Sequence, residues 1–210
     1  MFVRLFIRCL VPLVLISAFG CGGLILKMYG MKKLRSLNAA EVNRYARQYG
    51  IDEDQVYVLD TAYWGFIRSI DSSKFAAARK NHAQPLQAMY FNQQGNLISW
   101  HINCYTGGFP NLKWDHDSAF STFPPKQQAP LDSLLPLQQL GRYMMTPEDS
   151  FHIAPLPFEY TVVVFWNRWM GRQSERLIHL VQQNAALEKK KQVKIIYVNN
   201  DSFWSVAEAK

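Results

Sequence analysis

The sequence predicts an α/β fold built on a mixed sheet of about five strands, and two patterns carry that prediction. Residues 161–166, TVVVFW, are β-branched and aromatic; an amphipathic stretch follows, and then a second strand-like run, VKIIYVNND, at 193–201. Strand, helix and strand of these lengths make a βαβ unit, whose right-handed crossover lays its two strands parallel. Residues 85–103 instead show two apolar runs around the turn NQQGN, where Gly95 supplies a positive φ, so a hairpin adds antiparallel strands. An α+β or otherwise unrelated α/β sandwich that contains one βαβ unit satisfies the same patterns.

A chain of 210 residues, 49% hydrophobic and 19% charged, can bury one sizeable core and carry an appendage. The appendage comes first. Residues 1–29 combine Arg4 and Arg8 with an apolar run at 9–26, which reads as a signal, lipoprotein or transmembrane anchor to be kept out of the fold. In one version Ala18-Phe19-Gly20-Cys21 acts as a lipobox and Cys21 is lipidated. Phe19 and the apolar Leu24-Ile25-Leu26 depart from that pattern. In the other version residues 9–26 remain as one membrane helix, at the short end of the roughly 17–25 residues needed to span. Lys27, Lys32, Lys33 and Arg35 would then favour a cytoplasmic domain. The lipoprotein version places the domain outside the cytoplasm, in the periplasm or cell envelope of a bacterium, and is the one preferred here.

Residues 36–210 read as a single domain. Asn38-Ala39-Ala40-Glu41 has the form of a capping box ahead of helically spaced Val42, Tyr45, Ala46 and Tyr49, with Gly50 as the stop. Residues 55–67 are β-branched and aromatic and predict one or two strands, and a short helix begins at Ser72. After the hairpin, residues 104–130 are rich in Gly, Pro, Asn and Ser and predict a long irregular loop, the kind that covers or serves a site. Residues 131–145 suggest a helix broken or started at Pro136; the helix inside the βαβ unit should run over about 172–190.

The net charge of +7 raises nucleic acid or an anionic membrane as partners. The basic residues are dispersed, and no recognition helix, zinc finger or aromatic RNA-binding signature accompanies them, so no nucleic-acid partner is expected. The cluster at 27–35 suits a membrane surface, and Lys189, Lys190 and Lys191 suit the negative end of a helix. Of three cysteines, Cys9 and Cys21 lie in the anchor segment and only Cys104 in the domain, which rules out an internal disulfide framework there.

The segment VVVFWNRWMGRQ with its helix and the strand VKIIYVNND resembles the central βαβ of thioredoxin-like thiol-disulfide oxidoreductases, especially the membrane-tethered bacterial ones. In that family the strand ends in Phe-Trp-x-x-Trp and Cys-x-x-Cys opens the helix. Trp166, Trp169 and Gly171 match, as do Asn199 and Asp201, over about 45 residues. The resemblance implies a three-layer thioredoxin-like sandwich. It also marks Trp169, Met170, Gly171, Arg172 and Gln173 as a degenerate motif, with Met170 and Gln173 in the cysteine positions. A thioether has no proton to lose and an amide cannot resolve a mixed disulfide, so no redox chemistry is expected there.

Order is the second departure. The family's hairpin, which begins with a cis-proline, follows the βαβ unit, yet only residues 202–210 remain after Asp201. QPLQAMYFNQQGNLISW, upstream, looks like that hairpin and puts Pro85 in the cis-proline place. The resemblance then implies a rearranged sheet: hairpin strands near 86–91 and 97–102, a central strand at 161–166, an outer strand at 193–198, and a fifth near 55–60.

Other constellations are weaker. Cys104 is a candidate reactive thiol, against the blander expectation of a buried inert cysteine. Asp115-His116-Asp117 cannot turn all three side chains onto one ion, and no metal or other cofactor is expected. Trp166, Trp169 and Trp204 are expected to cluster at the carboxyl ends of the parallel strands, and Arg172 with the first amides of its helix suggests an anion site. The functional expectation is a membrane-tethered, redox-inactive domain that binds a peptide or protein partner or serves in assembly. The alternatives are a thiol-dependent enzyme using Cys104 and an unrelated membrane-anchored α/β domain.

Overall fold

The computed structural model describes residues 30–147 and 158–208, and the anchor segment with Cys9 and Cys21 lies outside them. Among the described residues the domain is α/β: a mixed six-stranded sheet with six α-helices. The strands are β1 (Val56–Leu59), β2 (Gln87–Asn92), β3 (Leu97–Ile102), β4 (Met144–Met145), β5 (Tyr160–Trp166) and β6 (Val193–Asn199). They lie side by side in the order β3-β2-β5-β6-β1-β4. β5, β6 and β1 are mutually parallel, while β3 is antiparallel to β2, β2 to β5, and β4 to β1. Among the described residues no helix is long and apolar enough to cross a membrane.

The helices are α1 (Ala39–Gln48), α2 (Tyr63–Ser69), α3 (Ser72–His82), α4 (Leu137–Gly141), α5 (Gly171–Ala185) and α6 (Asp201–Glu208). α1 starts at the predicted capping box: Asn38 Oδ1 accepts the Glu41 amide at 2.9 Å and the Glu41 carboxylate accepts the Asn38 amide at 3.4 Å. In the hairpin Asn92 Oδ1 accepts the amides of Gln94 and Asn96, and Gly95 takes φ +76°.

Alternation along the central strand divides the core, because successive side chains of a strand point to opposite faces. Val162, Val164 and Trp166 of β5 pack with Val42 and Ala46 of α1, Leu177, Ile178 and Val181 of α5, and Leu112, Trp114 and Phe120 of the long loop. Val163 and Phe165 pack on the other face with Tyr63, Phe66 and Ile67 of α2, Leu140 of α4 and Phe203 of α6. Burial on both faces is why β5 reads as a continuous apolar run.

Several local expectations are corrected. Only 56–59 of the stretch 55–67 is strand; Tyr63, Phe66 and Ile67 are spaced to bury one side of a helix, and that burial outweighs their β preference. The expected helix over 131–145 shrinks to α4, and Met144–Met145 pairs with β1 as the sixth strand. α5 ends at Ala185 rather than near 190, and α6 was not foreseen. Pro85 is not cis: among the described residues the cis bonds are Phe109-Pro110 and Phe123-Pro124.

Candidate functional site

At the carboxyl end of β5 the chain turns through 167–170 into α5, and one buried side chain organises the turn. Asn167 is fully buried. Its Oδ1 accepts the Met170 amide at 2.8 Å, and its Nδ2 donates to the Pro85 carbonyl at 3.2 Å and to Asn200 Oδ1 at 3.1 Å. Asn200 Nδ2 donates to the same Pro85 carbonyl at 2.8 Å. Ser174 Oγ closes the other side, donating to the Asn167 carbonyl at 2.7 Å and lying 3.1 Å from its amide. The hairpin entry, the strand-helix turn and the end of β6 therefore meet at two asparagines.

Met170 and Gln173, which the resemblance puts in the cysteine positions, are 2% and 0% exposed. The Gln173 amide donates to the Met170 carbonyl at 2.8 Å, so the two residues span one tight turn. Gln173 Oε1 accepts the Leu112 amide at 3.1 Å and so ties the long loop to the start of α5. Gly171 is required by close approach: a Cβ there would stand 2.8 Å from the Tyr49 hydroxyl, whose ring meets Trp166 edge-on.

The N-terminal strap, residues 30–37, lies across this turn. Lys32 donates its amide to the Trp169 carbonyl at 2.8 Å, and the Arg168 guanidinium donates to the Lys33 carbonyl. Leu37 donates its amide to Ser202 Oγ at 3.1 Å, in α6. Gly30, at φ +75°, sits so close that a Cβ would be 2.8 Å from the Arg172 Cβ. The first amides of α5 are engaged within the chain: Met170 to Asn167 Oδ1, Gly171 to the Arg168 carbonyl, Gln173 to Met170. The anion site expected around Arg172 is covered by the strap and largely satisfied.

Asp201 begins α6 and is buried; its Oδ2 accepts the Arg168 amide at 2.6 Å and Asn199 Nδ2 at 3.0 Å. Burial raises its carboxyl above the ordinary value, against those hydrogen bonds and the charge of Arg168. The expected tryptophan cluster does not form as one group. Trp166 and Trp169 belong to the α1/α5 side of the sheet, while Trp204 packs with Trp64 and Phe203 on the other.

Cys104 is exposed rather than buried, a correction to the blander expectation. Partial burial raises its thiol despite the lowering effect of Lys80, the reverse of what activates a nucleophile. Among the described residues no group of three or more His, Cys, Asp or Glu side chains is placed to hold a metal ion. His82 Nε2 meets Asp132 at 3.2 Å beside the α2/α4/α6 core, where His82 also meets Tyr63, Phe66 and Trp100.

Sequence reasoning missed Asn167, Asn200 and Ser174, whose roles depend on partners up to 115 positions away. It also missed a cleft between the long loop and α5, lined by Lys113, Trp114, Asp115 and His116 on one wall and by Arg176, His179, Leu180 and Gln183 on the other. A polar stripe at 176, 179 and 183 is visible in the sequence, but an exposed helix face explains it equally well. Comparison with models of known families, with characterised proteins and with solved structures finds no match to the chain.

Proposed function

We propose that this chain is a membrane-tethered, extracytoplasmic protein whose domain is a rearranged, redox-inactive thioredoxin-like unit that acts in binding or assembly. The observation that carries this reading is the run β3-β2-β5-β6, in which an upstream hairpin lies antiparallel to the central strand of a parallel βαβ pair. That is the arrangement a thioredoxin-like sheet takes when its hairpin precedes the βαβ unit in sequence. Pro85 supports it as well, since its carbonyl bonds to the side chain that holds the Met170 amide. The trans bond at Pro85 is a departure from the family and weakens the likeness at that one point.

Loss of redox chemistry follows from the side chains. Met170 cannot become a thiolate, the amide at Gln173 is committed to Leu112, and no second cysteine accompanies Cys104 in the domain. The strap, residues 30–37, covers the turn at 168–172, so a partner at that turn must displace it or bind elsewhere. The tether rests on the apolar run at 9–26 with its flanking arginines.

The test is reduction of insulin disulfides by the full chain in neutral detergent with dithiothreitol as reductant, beside Cys104→Ser. The expected result is the dithiothreitol background for both proteins. Turnover above background that disappears in Cys104→Ser would overturn the redox-inactive reading in favour of a thiol-dependent enzyme. The tether is checked separately, by a high-salt wash of membranes, which should leave the chain in the pellet because apolar insertion is not screened by salt.

A further inference from the structure

α5 is fastened to the long loop at two buried points on one face. Near its start Gln173 Oε1 accepts the Leu112 amide; about three turns later Asn184 Nδ2 donates to the carbonyls of Phe120 at 2.8 Å and Thr122 at 2.6 Å. Both side chains are essentially inaccessible, at 0% and 1% exposure, so these are pegs and not surface contacts. Between them the loop stands off the helix and leaves a cleft of about 460 Å³. That volume lies within the usual range of about 300–1,000 Å³ for small-molecule sites.

The cleft is rich in donors on both walls. Lys113 stands on the loop and Arg176 on the helix, and neither has an ion-pair partner among the described residues. The Arg176 guanidinium bonds to Asn111 Oδ1, a neutral group that leaves its charge uncompensated. His116 and His179 add an imidazole to each wall. Trp114, 2% exposed, lines the loop side, and its indole N–H is buried without a hydrogen-bond partner. Asp115 is the one carboxylate in the lining, and its Oδ1 already accepts the Phe120 amide at 3.0 Å. Asp117, outside the lining, faces His116 at 2.8 Å from an exposed position.

The loop holds this wall in place at a backbone cost. Asp117 and Ser118, which directly follow the lining residue His116, take φ of 55° and 54°, two successive left-handed non-glycine residues. Such conformations cost on the order of 1–3 kcal/mol each and persist where surrounding contacts impose them.

From this arrangement we propose that the cleft between residues 113–116 and α5 binds the phosphate group of a small molecule or lipid headgroup. A tetrahedral dianion presents acceptors in every direction and can use Lys113 and Arg176 from opposite walls at once; a planar monocarboxylate satisfies only one side. The volume leaves room for the polar body of a phosphate ester beside Gln183 and Leu180. The inference is independent of the thioredoxin-like reading, because it rests on the loop-helix clamp and not on strand order.

The test is isothermal titration of the full chain in neutral detergent with inorganic phosphate and with glycerol phosphate, at ionic strength held constant with chloride. Lys113 and Arg176 are exposed at the surface, so Lys113→Gln and Arg176→Gln leave the core untouched. Saturable binding of either soluble phosphate that weakens about tenfold in each variant supports the proposal. Binding confined to detergent micelles that carry phosphatidic acid, and absent from micelles that carry phosphatidylcholine alone, with the same loss in both variants, supports it with a lipid as the source. No saturable binding of any of the three probes, or affinities unchanged in both variants, overturns it.

Discussion

Asn167 and Pro85 are 82 positions apart in sequence, yet the Asn167 side-chain amide donates to the Pro85 carbonyl at 3.2 Å in the interior. The same side chain caps the Met170 amide, so one residue couples the hairpin entry to the start of α5. Asn167→Ala leaves the Met170 amide without its acceptor in a buried site and removes one of two donors to Pro85. An unsatisfied buried group costs about 1–3 kcal/mol, and the expected total loss is about 2–4 kcal/mol. Asn167→Asp keeps the acceptor but sets a buried carboxylate oxygen against the Pro85 carbonyl and Asn200 Oδ1, so at pH 7 it should destabilise at least as much as Asn167→Ala. Denaturant midpoints at unchanged slope read both values, and an Asn167→Ala midpoint equal to wild type contradicts the hub.

The strap should be separable from the fold. Gly30→Ala puts a Cβ within 2.8 Å of Arg172 and forces φ +75° on an L-residue, which destabilises the docked strap by about 1–2 kcal/mol. Trypsin cleavage after Lys32, Lys33 or Arg35 follows the population of the open strap, so it should accelerate roughly five- to thirtyfold. The assay is limited proteolysis followed by mass spectrometry. Identical cleavage rates in wild type and variant would mean that the strap is not held by this contact.

A disulfide pair should be installable at the start of α5. Met170→Cys with Gln173→Cys, in a Cys104→Ser background, places two thiols one turn apart at the start of α5, where the positive end of the helix dipole favours a thiolate. Mild oxidation is expected to convert both to a disulfide, read as loss of titratable thiol and of a pair of hydrogens by mass. Adding Gly30→Ala should speed the reaction, because the strap covers the turn. Two thiols that persist under oxidation would leave the turn as plain architecture and count against the thioredoxin-like reading.

Acid stability should carry the signature of His101. Its ring is buried against Phe120 at 4.3 Å, and burial pushes it down from 6.5 to about 4. Between those values the unfolded chain binds a proton that the folded chain refuses, so stability is full above about pH 6.5 and falls as pH drops toward 4. The loss is on the order of 3 kcal/mol. The raised Asp201 carboxyl works in the opposite direction, since the folded state there takes up its proton first and gains stability on acidification. Glu41, held down to about 2 by hydrogen bonding to Arg35, acts only below its ordinary 4.5. His101→Phe should therefore flatten the stability profile between pH 6.5 and 4 and leave the more acid limb alone. An unaltered profile in urea titrations at pH 7, 5.5 and 4.5 would remove His101 as the cause.

What the sequence by itself determined is local. The β-branched and aromatic runs at 161–166 and 193–201, the hairpin around Gly95 and the capping box at Asn38 are set by local sequence, so each is legible and each recurs in the structure, the second run as the shorter strand 193–199. That Met170 and Gln173 cannot form a disulfide also follows from side-chain identity alone. Tertiary structure decided the rest. Residues 63–69 become a helix because Tyr63, Phe66 and Ile67 find an apolar sheet face to cover, against their intrinsic preference. Pro85 stays trans, and the strap closes over Trp169, through partners far along the chain. Lys113 and Arg176 become two walls of one cleft only because Gln173 and Asn184 hold a distant loop against α5. Pairings of this range depend on which surfaces meet when the sheet closes, and no short window of sequence contains that information.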